Sequence, residues 1–167
     1  MIQVYTGNGK GKSTAAFGLV LRAVGAGLKV YILQFAKKGC FSEIRALKQF
    51  KNVKICQFGS ACFIKGKPTD KDIKLARQGL AKIKEIINNN KYNVVVLDEI
   101  NNILNLGILK PKEIKDALKL ARSRKEFILT GRNAPREIIE FADLVSEIKE
   151  IKHYYRKGQK AREGIEF

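Results

Sequence analysis

The stretch TGNGKGKST, residues 6–14, constrains this chain more than any other because of what stands on either side of it. Ahead lies IQVYT, a β-rich run, and behind lies KSTAAFGLVLRAVGAG, whose apolar residues suit a buried helix closing near Gly25 or Gly27. A strand that turns through glycines directly into a helix aims backbone N–H groups and the positive end of the helix dipole at one place, which favours anions. The spacing approaches the phosphate-binding pattern G-x-x-x-x-G-K-[ST], with Lys12 as a point charge and the Ser13 hydroxyl able to ligate Mg²⁺. Counting back from Gly11 puts Thr6 in the slot of the first glycine, and Gly7 leaves the loop one residue short.

The rest of the chain alternates in the same way. KVYILQF (29–35) reads as a second buried strand, SEIRALKQF from Ser42 as a short helix, and NVKICQF as a third strand. Residues 59–69, GSACFIKGKPT, form a loop by their Gly and Pro content, and a long helix is expected from about 70 to 89. YNVVVLDEINN is an apolar strand ending on two acids, KPKEIKDALKLARSR an amphipathic helix with Pro111 near its start, EFILTG a fifth strand, APREIIEFA a helix and DLVSEIKEI a sixth strand. Strands alternating with helices and apolar on both faces predict an α/β fold with a predominantly parallel sheet covered by helices on both sides. One domain spanning 1–167 accounts for the length, with a tail from about 153 that has no assigned element.

Composition narrows the partners. The start runs straight into a strand, no apolar run approaches a membrane span, and the expectation is a cytoplasmic protein. Cys40, Cys56 and Cys62 are odd in number and lack CxxC spacing, which argues against a zinc site or a disulfide framework. The formal charge of +17 raises the idea of a nucleic-acid partner, but the lysines recur in every expected helix and in the tail, as solvated faces do. No basic stretch carries the interleaved aromatics that stack bases.

Asp98 and Glu99 end the VVVLDE strand, in the crevice where open α/β sheets bind ligands, so either could hold Mg²⁺ directly or through water. The one histidine, His153, lies in the tail, and no Ser-His-Asp set or base-paired cysteine is visible. Two chemistries fit. Either water positioned by Glu99 attacks, as in a nucleic-acid-stimulated ATPase, or the nucleophile arrives with the substrate and needs no base.

VYTGNGKGKSTAAFGLVLRAVGAGLKVYILQFAKKG, VVVLDEINNILNLGIL, ILTGRNAPREIIEFADLVSEIKEIKH and the closing GIEF together resemble the ATP:corrinoid adenosyltransferases of cobalamin salvage and synthesis, over nearly the whole chain. The resemblance implies a RecA-like P-loop NTPase fold, ATP as co-substrate, Mg²⁺ or Mn²⁺, a corrinoid substrate, a homodimer, and an electron-donating reductase such as a flavoprotein. It also implies attack of Co(I) on C5′ of ATP with triphosphate as the leaving group. By the same resemblance Gly7, Asn8, Gly9, Lys10, Gly11, Lys12, Ser13 and Thr14 match the nucleotide loop, with Lys10 and Lys12 acting on the leaving group. Ser13 and Glu99 match metal-linked positions, and Arg22 matches an arginine associated with the ribose. Asn101, Arg132 and Asn133 fall in matching motifs without distinct roles. Phe63, in FGSACFIKGKP, stands for an aromatic that displaces the lower axial ligand of cobalt. Two readings compete with the transferase: a RecA-like ATPase and a corrinoid-binding module without turnover.

Overall fold

Parity along the strands decides where the helices go. In β2 (Val30–Phe35) and β4 (Val94–Asp98) every residue is buried, so both faces of these strands need cover. Val30, Ile32, Val94 and Val96 point to one side, where Ala16, Phe17 and Val20 of α1 (Lys12–Gly25) and Ile44 and Leu47 of α2 (Ser42–Leu47) pack. The alternate residues Tyr31, Leu33, Phe35, Val95 and Leu97 point to the other side, under α3 (Asp70–Asn88), α4 (Ile100–Asn105), α5 (Pro111–Lys119) and α6 (Arg136–Phe141). The computed structural model describes residues 1–39, 41–60, 64, 66–119, 121 and 125–167.

With β1 (Ile2–Thr6), β3 (Val53–Phe58), β5 (Glu126–Thr130) and β6 (Leu144–Glu147), the strands form one sheet in the order β3-β2-β4-β5-β1-β6, every pair parallel. The chain leaves β1 through α1 and reaches β2 on the far side of two strand positions that β5 and β4 fill later. A crevice is thereby left at the C-terminal ends of β1, β5 and β4, where successive crossovers run on opposite faces. Among the described residues no helix is long and apolar enough to cross a membrane.

Two expectations are corrected. The DLVSEIKEI strand is ordered as β6 only over Leu144–Glu147, and its residues are exposed because it is the sheet's edge, paired with β1 alone. Cover on both faces is therefore complete at β2 and β4 and absent at β6. In addition, the YNVVVLDEINN strand ends as β4 at Asp98, and Ile100–Asn105 form α4, burying Ile100, Ile103 and Leu104. The tail, unassigned from sequence, contains a 3₁₀ turn at Tyr154–Lys157.

The long helix α3 begins at Thr69, whose hydroxyl accepts from the Asp72 N–H while the Asp72 carboxylate accepts from the Thr69 N–H at 3.0 Å, a reciprocal cap. Further along, Gly79 lets α3 lie directly on β2: a Cβ there would come within 2.3 Å of the Phe35 ring and 3.2 Å of Phe58. Gly79→Ala gains about 1 kcal/mol of helix propensity, yet overpacking against these buried rings costs about 1–3 kcal/mol. The expected outcome is a net loss, read as a lower urea midpoint at unchanged slope. A midpoint at or above wild type would show that Phe35 can swing clear.

Candidate active site

β1 delivers the phosphate-loop candidates to the crevice. Gly7 (φ 98°) and Gly11 (φ 116°) take left-handed conformations, and Gly11 caps α1. Gly9 serves close approach instead: a Cβ would fall 2.8 Å from Ile148 O, and its N–H donates to that carbonyl at 2.7 Å. The backbone immediately after β6 thus braces the loop from outside. Thr6, in the slot where the standard spacing has glycine, is the last residue of β1, and its hydroxyl accepts from Ala134 N at 3.1 Å. Lys12 folds back, donating to Gly9 O at 2.6 Å. Burial lowers its pKa, the charges of Arg132 and Lys37 lower it further, and Glu99 opposes them.

Across the crevice, Asp98 is fully buried and accepts from four side chains. Ser13 Oγ donates to Oδ1 at 2.7 Å, as does Thr130 Oγ1 at 2.7 Å, while Gln34 Nε2 reaches Oδ2 at 3.1 Å and Lys37 Nζ lies 3.3 Å from it. Lys37 Nζ is also 3.0 Å from Glu99 Oε1, and Asn102 Nδ2 donates to Glu99 Oε2. Glu99 has φ 62°, a left-handed conformation that non-glycine residues seldom adopt, and its N–H is held by Thr130 Oγ1 at 3.0 Å. That bend keeps its carboxylate beside Lys37 at the crevice while α4 turns away.

The structure therefore brings Ser13, Asp98 and Glu99 together with three residues that the sequence reading did not select: Gln34, Lys37 and Thr130. Each lies at or just beyond the C-terminal end of a strand flanking β4 in space but distant from it in sequence, so only the strand order 2-4-5 could have pointed to them. Asn101 is fully buried, its Nδ2 3.5 Å from Gly131 O, and among the described residues its Oδ1 has no hydrogen-bond partner. Arg132 and Asn133 are exposed and line a cleft of about 200 Å³ with Ala36, Ile64, Asn102 and Leu106. Lys10 is turned toward the tail, donating to Tyr154 Oη at 2.8 Å and to Glu166 Oε1 at 2.9 Å. Arg22 stands exposed on α1, nine positions beyond Ser13 and so roughly 14 Å along the helix axis. Phe63 lies outside the described residues.

Ser13, Asp98 and Glu99 offer only oxygen donors, and among the described residues no cluster of three or more His, Cys, Asp or Glu exists. Such a set suits a hard cation that takes few protein ligands and completes its shell with phosphate and water, as Mg²⁺ does.

Burial alone would push the Asp98 carboxyl up; the Lys37 ammonium, the Thr130 and Ser13 hydroxyls and the Gln34 amide outweigh it and hold the group below its ordinary 3.8. Burial would lower Lys37, but Asp98 and Glu99 hold it above its ordinary 10.5. The Asp98 contribution to stability is therefore present above pH 3.8 and lost as pH falls through its depressed folded value. The Lys37 contribution is complete below 10.5 and lost only as pH rises through its raised one. Lys37→Met strands the buried carboxylates and should cost about 3–5 kcal/mol at neutral pH. The deficit should be full at neutral pH and shrink in acid as Asp98, which burial raises once Lys37 is gone, takes up a proton. Urea unfolding of the ligand-free protein across pH measures it, and a deficit that is small or independent of pH in acid would contradict the assignment.

A family model described as ATP:corrinoid adenosyltransferase BtuR/CobO/CobP matches residues 1–167. A corrinoid adenosyltransferase of Sinorhizobium sp is 37% identical over 171 residues, covering 100% of this chain and 80% of the relative. The corrinoid adenosyltransferase of Escherichia coli strain K12 is 34% identical over 167 residues, covering 100% and 85%. The corrinoid adenosyltransferase CobA of Salmonella typhimurium strain LT2 is 33% identical over 167 residues, with the same coverage of 100% and 85%. A glycine loop braced by the sheet edge, a buried carboxylate facing it and a match along the full length lead to one conclusion: the chain belongs to the ATP:corrinoid adenosyltransferase family.

Proposed function

We propose that this chain moves the adenosyl group by direct displacement: Co(I) of a corrinoid attacks C5′ of ATP, the cobalt–carbon bond forms, and the C5′–O bond breaks with its electron pair leaving on triphosphate. Family membership over the whole chain carries the reaction class, a transferase acting on ATP and a corrinoid. The arrangement around Asp98 supports displacement over hydrolysis. Both carboxylates are engaged by donors, Asp98 by Ser13, Thr130, Gln34 and Lys37, and Glu99 by Lys37 and Asn102, which suits fixed anions better than a proton acceptor. Co(I) carries no proton, so its attack requires none to be removed.

What the chain must supply is alignment and stabilisation of the leaving charge. Lys12 exchanges Gly9 O for a phosphate oxygen, a short swing for a side chain already lying on the loop. Lys10 and the loop residues Gly7, Asn8, Gly9, Gly11 and Thr14 complete the phosphate cradle. Ser13, Asp98 and Glu99 would hold Mg²⁺ or Mn²⁺, which would neutralise charge on the triphosphate. Thr130 and Gln34 keep Asp98 oriented, the exposed Arg132 and Asn133 border the cleft at which substrate enters, and the buried Asn101 amide reaches Gly131 O just before them. By resemblance, Arg22 contacts the ribose and Phe63 displaces the lower axial ligand of cobalt. A cytoplasmic homodimer supplied with Co(I) by a reductase such as a flavoprotein completes the reading.

The deciding experiment mixes the protein with Mg-ATP and chemically reduced cob(I)alamin without oxygen, following the corrinoid spectrum and the phosphate product. Adenosylcobalamin with intact triphosphate is expected. ADP and phosphate, released faster with nucleic acid and without alkylation, would instead establish the ATPase. Lys12→Ala should lower the alkylation rate by about 100-fold or more, the scale for losing one preorganised charge donor to a leaving oxyanion; near-normal turnover would remove Lys12 from the mechanism.

A further inference from the structure

The C-terminal segment lies on the phosphate loop. Glu166 Oε1 is 2.9 Å from Lys10 Nζ, which also donates to Tyr154 Oη at 2.8 Å, and Tyr154 in turn donates to Glu166 Oε1. Arg162 closes the group, its N–H donating to Glu166 Oε2 at 2.7 Å and its guanidinium carbon 5.0 Å from the centre of the Tyr154 ring. Two further contacts fasten the segment to α2: Ser42 Oγ donates to Phe167 O at 3.1 Å and Arg45 Nη2 to Glu163 Oε1 at 2.6 Å. Lys10 stands between Gly9 and Gly11 of the loop, so its ammonium has two claimants, the polyphosphate of a nucleotide and the Glu166 carboxylate.

We infer that Glu166 is a built-in anionic competitor for Lys10, displaced when the polyphosphate of ATP enters and returning to Lys10 when triphosphate has to leave. The inference rests on the proposed role of the loop in holding phosphate. It follows from charge and position. Tyr154, Arg162 and Lys10 hold the Glu166 carboxyl well below the ordinary carboxylate range, so it is anionic throughout the neutral region. An anion at that place repels an incoming polyphosphate and shares with it one cation that cannot satisfy both. The pair reaches solvent, with side-chain exposure of 37% for Lys10 and 16% for Glu166, so the Lys10–Glu166 ion pair itself is weak and sensitive to salt. Tyr154 serves as the anchor: it touches Lys10 and Glu166 together and would keep the lysine in place once the carboxylate has moved away.

The test uses inorganic tripolyphosphate as the probe, its binding to the full chain measured by calorimetry at low and high salt. Glu166→Gln keeps the shape and removes the charge, and it should bind tripolyphosphate about two- to fivefold more tightly than wild type at low salt, with the difference shrinking at high salt. In a Lys10→Ala background the same substitution should change affinity much less, because the shared cation is gone. Release of triphosphate after a single turnover should slow in Glu166→Gln. A merely structural clamp predicts the opposite sign, since loosening the tail would disorder the loop and weaken binding; unchanged or weaker binding by Glu166→Gln overturns the inference while leaving the phosphate-loop reading intact. Failure of the wild-type chain to bind tripolyphosphate at all would overturn both.

Discussion

The ammonium of Lys37 is the charge on which the site depends. Asp98 has no exposure to solvent, and an ionised carboxylate taken out of water costs about several kcal/mol even after the protein relaxes around it. Lys37 offsets that cost for Asp98 and Glu99 at once, and Ser13, Thr130 and Gln34 satisfy the remaining lone pairs of Asp98. Because these groups come from four segments, the cluster ties α1, β2, β4 and β5 together at a single point. The left-handed turn at Glu99 belongs to the same construction: Thr130 holds its N–H, and the chain can then turn into α4 while both acids stay in the crevice.

The glycine-lysine loop is held from two further directions. On the inner side it is the continuation of β1, with Thr6 clamped to the residues after β5. On the outer side the backbone after β6 crosses so closely over Gly7 and Gly9 that neither has room for a side chain. The tail then covers Lys10. The exposed edge strand β6, unremarkable as a contributor to the core, is what brings the chain back across the loop and sends the tail toward α2.

Much of this was legible in the residues. Alternating apolar runs and helical stretches gave the parallel α/β sheet, and the glycine-lysine loop and the VVVLDE strand could be paired because both end at the same edge of such a sheet. Ser13 and Asp98 meet at 2.7 Å, as that pairing requires. The misses have common causes. Nothing in the sequence marks the start of α4, because its six residues come one position after an apolar strand with no turn signal between them. β6 was drawn too long because EIKEI alternates as a strand does, although beyond Glu147 it has no strand to pair with. Gln34 and Lys37 carry no local pattern at all, since a Gln in a buried strand and a Lys beside another Lys read as ordinary residues.

Sequence by itself determined the class of fold, the glycine-lysine loop between β1 and α1, the acids facing it and, through several motifs in order, the family. These are properties of short segments: a loop's backbone conformation and a strand's burial follow from residues that are neighbours in the chain. Tertiary structure alone decided that β5 separates β1 from β4 and so lends Thr130 to Asp98, that Lys37 sits between the two carboxylates, and that the tail returns to Lys10. Each of these joins groups at least 32 positions apart in sequence, Thr130 and Asp98 being the nearest such pair. Their meeting is fixed by strand order and by the electrostatic cost of leaving a buried charge alone, neither of which is written in any one stretch of residues.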